Sequence, residues 1–147
     1  MKRIIVCLIA VTLLLSACSG SNTSTPTEKD FDGSTYSDTG TGTFYLINES
    51  GTTENGNIIT VYADKNTTVT SIGADAFGFD GSVLSHIYID GMEYSKEQLA
   101  ESQISITLEK DLLVPGTHIV ECVQFENDEV AGNVITYKSG QYEVVEK

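Results

Sequence analysis

Tryptophan is absent from this 147-residue chain, proline and histidine occur twice each, and cysteine three times. Each shortage closes off a class of protein. Cys7, Cys18 and Cys122 are too few and too scattered for a disulfide-stapled scaffold, so any fold must rest on its own apolar core. His86 and His118 stand in separate segments with no second ligand at metal-binding spacing. Cations are scarce as well, with 8 Lys and Arg against 21 Asp and Glu and a formal charge of −13. That balance excludes nucleic acid, which calls for a basic patch, and charge-driven binding to anionic surfaces. A GxSxG elbow, a glycine-rich phosphate loop, HExxH and paired zinc motifs are all missing. The chain therefore reads as a non-enzyme, with no cofactor and no metal site.

What is present begins at the first residues. Lys2 and Arg3 give a positive start, Ile4 to Leu15 is an uncharged apolar run broken only by Thr12, and Leu15-Ser16-Ala17-Cys18 closes it with small residues. This is the layout of a secretory signal. The run falls short of the roughly 20 apolar residues of a transmembrane helix and lacks the polar face of a core helix.

Leu15-Ser16-Ala17-Cys18 resembles the lipobox of bacterial lipoproteins. The resemblance covers residues 1–18. It implies that the Cys18 sulfur receives a diacylglyceryl group, that the chain is cut before Cys18, and that lipid holds the protein to a cell membrane, facing outside the cytoplasm. Two or more acyl chains anchor firmly where one holds marginally, at about 0.8 kcal/mol per buried CH2. Removing residues 1–17 takes away Lys2 and Arg3 and no acid, so the formal charge moves from −13 to −15. It also leaves Cys122 as the one cysteine that lipid does not claim.

Residues 18–42 are rich in Ser, Thr, Gly, Asn and Asp, with Phe31 and Tyr36 as their only large apolar side chains. Such a segment buries too little surface to offset its ordering entropy and reads as a flexible linker. From Thr43 to Lys147 the pattern becomes one of short strands. Phe44–Ile47, Ile58–Tyr62, Thr67–Ile72 and Leu84–Ile89 come first. Asp90-Gly91 is a hairpin turn signal, after which Met92-Glu93-Tyr94 returns. Ser95-Lys96-Glu97-Gln98 fits a capping box and predicts one short helix over 96–102. Ile104, Ile106 and Leu108 then alternate with polar residues, and strands follow at 118–125, 134–137 and 141–145. The rhythm is that of a mainly β sandwich, with a small closed barrel as the alternative.

Leu113-Val114-Pro115-Gly116-Thr117-His118-Ile119-Val120 resembles the turn into a late strand of bacterial immunoglobulin-like domains. The resemblance implies an immunoglobulin-like antiparallel β-sandwich over 43–147, with Val120 and Cys122 facing the core and His118 at a corner of the sandwich. The missing tryptophan and cysteine pair depart from the antibody pattern.

The strongest candidate for binding is Ala74–Ser82, where Phe77, Phe79 and Asp80 alternate with glycine. Loops on a rigid sandwich commonly carry function, and exposed rings are good contact residues. The same rings could instead plug one end of the core. Glu126-Asn127-Asp128-Glu129 could hold calcium but lacks the ligand spacing of an EF-hand, and a solvated turn is the competing account. Cys122, between Val120 and Val123, reads as an inert buried thiol. The functional expectation is a membrane-anchored module that binds a protein or glycan or takes part in envelope assembly. A solute- or ion-binding accessory lipoprotein is the alternative, and an enzyme a more distant one.

Overall fold

The computed structural model describes residues 30–147; the expected signal peptide, Cys18 and the expected linker as far as Lys29 lie outside the described residues. Nine strands run in chain order: β1 Thr43–Asn48, β2 Gly51–Thr52, β3 Ile58–Ala63, β4 Val69–Phe77, β5 Ser85–Ile89, β6 Met92–Glu97, β7 Ser102–Glu109, β8 Gly116–Phe125 and β9 Val134–Glu146. They form a four-stranded sheet, β2-β1-β4-β7, packed on a five-stranded sheet, β3-β9-β8-β5-β6. The chain is a mainly β, immunoglobulin-like sandwich. One pair departs from the antiparallel expectation, since β3 lies parallel to β9 with Ile58 opposite Gln141 and Ala63 opposite Glu146. Side-chain alternation has the same period in both kinds of pair, so the sequence pattern is blind to the difference.

Alternate residues of each strand point inward and meet between the sheets. Phe44, Leu46, Ile59, Val61, Ile72, Ile87, Ile106, Leu108, Tyr142 and Val144 are all buried there, together with Val120 and Cys122 on β8. Each large aliphatic or aromatic side chain so buried stabilises the fold by about 1.5–3 kcal/mol.

Residues 96–102 do not form the expected helix, and no α-helix occurs among the described residues. Instead β6 continues through Glu97, with Ser95 opposite Ile87 and Glu97 opposite Ser85. Asp90 and Gly91 have φ of 53° and 83°, the left-handed pair that two-residue hairpins favour. That turn delivers the chain directly onto the β5 ladder, and a single helical turn is too short to compete with it. Leu99, just beyond, is buried in the core. The break expected at Ser139-Gly140 is also absent, because β9 runs through it. Gly140 serves close packing: a Cβ there would lie 2.9 Å from both Leu46 Cγ and Thr53 Oγ1.

The linker boundary needs a larger correction, since residues 30–42 are docked on the sandwich. Phe31 is buried against the outer face of the five-stranded sheet, with its ring centroid 4.9 Å from Tyr88 and 6.0 Å from Phe125. Tyr36 stacks beside it at 5.5 Å. The Phe31 N–H donates to the Gly91 carbonyl at 3.0 Å, and the Glu93 N–H donates to Asp30 Oδ2 at 2.9 Å. Further along, Thr39 and Tyr137 exchange two backbone bonds at 3.1 and 3.2 Å. A Cβ at Gly33 would displace the Glu121 carboxylate, which accepts from the Tyr137 hydroxyl beneath it. The segment thus crosses the five-stranded sheet as a strap and swings over its edge to begin β1. Composition missed this because a ready-made trough of Tyr88, Val123, Phe125 and Tyr137 lets one phenylalanine bury fully.

Sheet edges are capped by side chains. On β3, Thr60 N–H donates to Ser50 Oγ and its carbonyl accepts from Asn48 Nδ2, both at 2.8 Å. On β6 the cap is Asp30, and on β7 the Thr107 N–H donates to the Tyr94 hydroxyl at 2.8 Å. These acceptors blunt edges that would otherwise template pairing between molecules.

Phe31→Ala should cost about 3–5 kcal/mol in urea unfolding, the range for truncating a buried phenylalanine. A loss below about 0.5 kcal/mol, as for a surface substitution, would return residue 31 to the linker.

Candidate functional site

The structure separates the three residues singled out in the Ala74–Ser82 segment. Phe77 closes β4 opposite Thr43 and is 52% exposed, whereas Phe79 is 6% exposed and packs in the core. Asp80 is exposed, but its Oδ1 accepts from Ser82 N–H at 2.9 Å and from the Ser82 hydroxyl at 2.6 Å. Those bonds, the side-chain one first, hold its carboxyl below the usual aspartate range. Gln124 Nε2, from β8, lies 3.0 Å from the Asp80 carbonyl and 3.1 Å from that of Val83. The loop is therefore a fastened plug over the sandwich end, and Phe77 is its one outward ring.

His118 occupies the opposite end of the sandwich. Its Nδ1 lies 2.6 Å from Asp90 Oδ2, and its Nε2 donates to the Val114 carbonyl at 2.8 Å. The ring stacks on Tyr142 at 4.8 Å, and Asp90 Oδ1 also accepts from the Ile119 N–H at 3.0 Å. This constellation ties the β5–β6 turn to the start of β8. It occupies both ring nitrogens and leaves neither for a substrate. Beside it, a cleft of about 450 Å3 opens between β6 and β7, walled by Ile89, Met92, Tyr94 and Leu112 and rimmed by Glu109 and Asp111. His86 stands elsewhere, buried beneath the strap region with Nδ1 2.8 Å from Glu93 Oε1 and its ring edge-on to Phe125.

Glu126–Glu129 forms a tight turn in which Asn127 and Asp128 both have positive φ. Its acids fasten neighbouring chain: Asp128 Oδ1 accepts from the Leu84 N–H at 2.7 Å, and Glu126 Oε2 from Asn133 Nδ2 at 2.9 Å. Among the described residues no group of three or more His, Cys, Asp or Glu is placed to share a metal ion. Cys122 is fully buried, and burial lifts its thiol from 9.0 to about 12. A thiol so far from ionising is a poor nucleophile.

A further group lies on the outer face of the four-stranded sheet. Tyr45 lies opposite Asp75, Ile47 opposite Gly73, and Gly73 opposite Ser105. Asp75 Oδ1 accepts from Gln103 Nε2 at 2.6 Å. Where β1 stops at Asn48 it uncovers the first half of β4, and a groove of about 330 Å3 continues there between Gly73, Ser71, Thr70 and Thr60, with Tyr62 at its margin. Tyr45, Gly73, Asp75 and Gln103 drew no attention in the sequence. Their only signal is that they hold the outward positions of strands whose inward positions are apolar.

No family model and no curated protein matches the sequence. Among solved structures, the chain is similar to the fibronectin(III)-like modules of CbhA from Clostridium thermocellum, at 16% identity and a TM-score of 0.37, over 63% of this chain and 93% of that one. It is similar also to the CARDB domain of a Pyrococcus furiosus protein, at 13% identity and a TM-score of 0.41, over 71% of this chain and 94% of that one. Likeness at this level adds nothing to the strand order and core described above.

The raised thiol sets a pH dependence. Below pH 9 both folded and unfolded chains keep the Cys122 proton, so its contribution to stability is fully present. Between 9 and about 12 the unfolded chain releases the proton and the folded chain holds it. Stability should therefore fall through that window by about 1.4 kcal/mol per pH unit for this group. Burial first, then the carboxylates of Glu93, Asp30 and Glu121, lift Tyr88 from 10.0 to about 12, which adds to the loss above pH 10. Urea midpoints measured from pH 8 to 11 should decline in this way, and Cys122→Ala should flatten the first unit of the decline.

Proposed function

We propose that the protein is an extracytoplasmic lipoprotein, held to a membrane by lipid on Cys18, whose sandwich acts as a non-enzymatic binding or envelope-assembly module. The observation that carries the anchor is Leu15-Ser16-Ala17-Cys18, placed directly after a cationic start and an uncharged apolar run. Asp30 is the first described residue of the docked strap, and residues 18–29 lie outside the described residues. The strap meets the sandwich at the Asp90-Gly91 turn, which makes that turn the membrane-side landmark in this reading.

Support for a non-enzymatic role comes from what the chemically versatile side chains already do. His118 ties a turn to a strand, His86 lies in an aromatic cluster with Glu93 on its ring, and Cys122 is core. A second reading, a solute-binding accessory lipoprotein, draws on the cleft of about 450 Å3 between β6 and β7, whose apolar walls and charged rim of Glu109, Lys110 and Asp111 suit a small amphipathic solute.

Fractionation of cells expressing the full chain tests the anchor. The unaltered protein should partition into detergent and yield a lipid-modified Cys18 peptide by mass spectrometry. Cys18→Ala should abolish that peptide and leave the chain either released or uncut. A Cys18→Ala protein that stays membrane-bound with its signal removed rules the anchor out.

A further inference from the structure

We propose that the outer face of the four-stranded sheet, together with the groove that prolongs it past the end of β1, binds an uncharged polysaccharide chain. This rests on the binding-module reading and names its ligand class.

Charge comes first. The chain carries a formal −13, yet the outward positions of β1, β4 and β7 hold only two charged side chains, Asp75 and Glu109, and the groove adds one of each sign, Glu49 and Lys147. Glu109 sits at the far end, opposite Val69. An otherwise acidic molecule therefore presents one nearly neutral face, which suits an uncharged occupant, while the molecule's overall charge repels anionic polymers.

Rings and polar groups then alternate along that face. Phe77 is half exposed, and Tyr45, one diagonal step away across the ladder, is partly exposed. Such neighbours stand about 7–8 Å apart, within reach of one ligand. Pyranose rings offer C–H faces that pack on aromatic faces, while their hydroxyls need donors and acceptors at the sides. The Asp75–Gln103 pair, fixed by its 2.6 Å bond, supplies both kinds beside Tyr45. Further on, the hydroxyls of Ser71 and Ser105 edge the groove, which ends at Tyr62, with Lys147 Nζ 5.8 Å above its ring.

Gly73 is an independent sign. A glycine at an outward position of a central strand weakens the strand and marks a close approach. Here its φ is ordinary, so no turn or left-handed backbone demands it. A Cβ would lie 2.8 Å from Ile47 Cγ2, so the glycine lets the Ile47 side chain lie low across the face where the groove begins. A protein partner would favour a contiguous apolar patch. Here Phe77 and Ile47 are separated by Asp75, Gly73 and hydroxyl side chains, which fits a hydroxyl-rich chain better.

The test uses the full lipidated chain in a detergent without a sugar headgroup. It is titrated calorimetrically with the hexasaccharides of N-acetylglucosamine, of β-1,4-glucose and of β-1,4-mannose, and with polygalacturonate as the anionic control. At least one neutral hexasaccharide should bind with a submillimolar Kd. Phe77→Ala and Gln103→Ala should each weaken it at least tenfold without lowering the unfolding midpoint. Three outcomes overturn the proposal: no binding to any of the three, binding that both variants leave intact, or preference for polygalacturonate. A reversible dimer in sedimentation that Phe77→Ala abolishes would assign the face to a second copy and overturn it too. Loss of the sugar binding with the Cys18 lipid still in place sinks this inference alone and leaves the anchor standing.

Discussion

Strand β8 is buried on both of its faces, and both layers of the molecule are packed against it. Its inward residues Val120 and Cys122 form the floor of the main core, while Val123 and Phe125, on the opposite face, line the trough that receives Phe31. A strand so placed cannot alternate apolar with polar in the usual way. Its polar members must find partners inside: Glu121 accepts from the Tyr137 hydroxyl at 2.8 Å, and Gln124 Nε2 reaches two carbonyls and the Ser85 hydroxyl. Unpaired, either group would be costly to bury. The Glu121 carboxylate and Gln124 Nε2, so bonded, fix β8 laterally to β9 and to the loop before β5, while Gln124 Oε1 stays buried without a partner.

How much of this was legible depends on the range of the interaction. The sandwich, the Asp90-Gly91 hairpin and the burial of Val120 and Cys122 were readable, because period-2 alternation and turn chemistry are properties of neighbouring residues. The short helix at 96–102 was misread for the complementary reason. Its capping residues are a local signal, and the β5 ladder that outcompetes them is nearly invisible until the chains are aligned. The linker boundary failed similarly, since nothing in residues 30–42 announces a trough built from β5, β8 and β9. Of the three binding candidates, Phe77 is the half-exposed ring, while Phe79 and Asp80 are tied into the fold. One ring is core and the carboxylate is consumed by its own turn, distinctions that depend on which face of β4 and its loop meets the other sheet. Tyr45, Gly73 and Gln103 lie on three different strands and become a group only through register.

The two ends of the sandwich are fastened by different means. At one end Gln124 and the Asp80–Ser82 turn hold a loop down over Phe79. At the other, Asp90 gathers His118 and the Ile119 N–H, and the strap's first residues rest on the same turn. Residue types usually taken as signs of catalysis are here spent on geometry, and the surfaces left open are a sheet face and a cleft between edges.

If the chain is anchored as proposed, the side-chain caps on β3, β6 and β7 acquire a consequence at the membrane surface. Molecules confined to a surface by lipid diffuse in two dimensions and share one orientation, so like edges meet at high effective concentration. Free strand edges in that setting would zip into ribbons. Ser50, Asn48, Asp30 and Tyr94 occupy the very hydrogen-bonding groups such a ribbon would use. Under the proposed anchor, these caps would disfavour edge-to-edge pairing even where the protein is displayed densely.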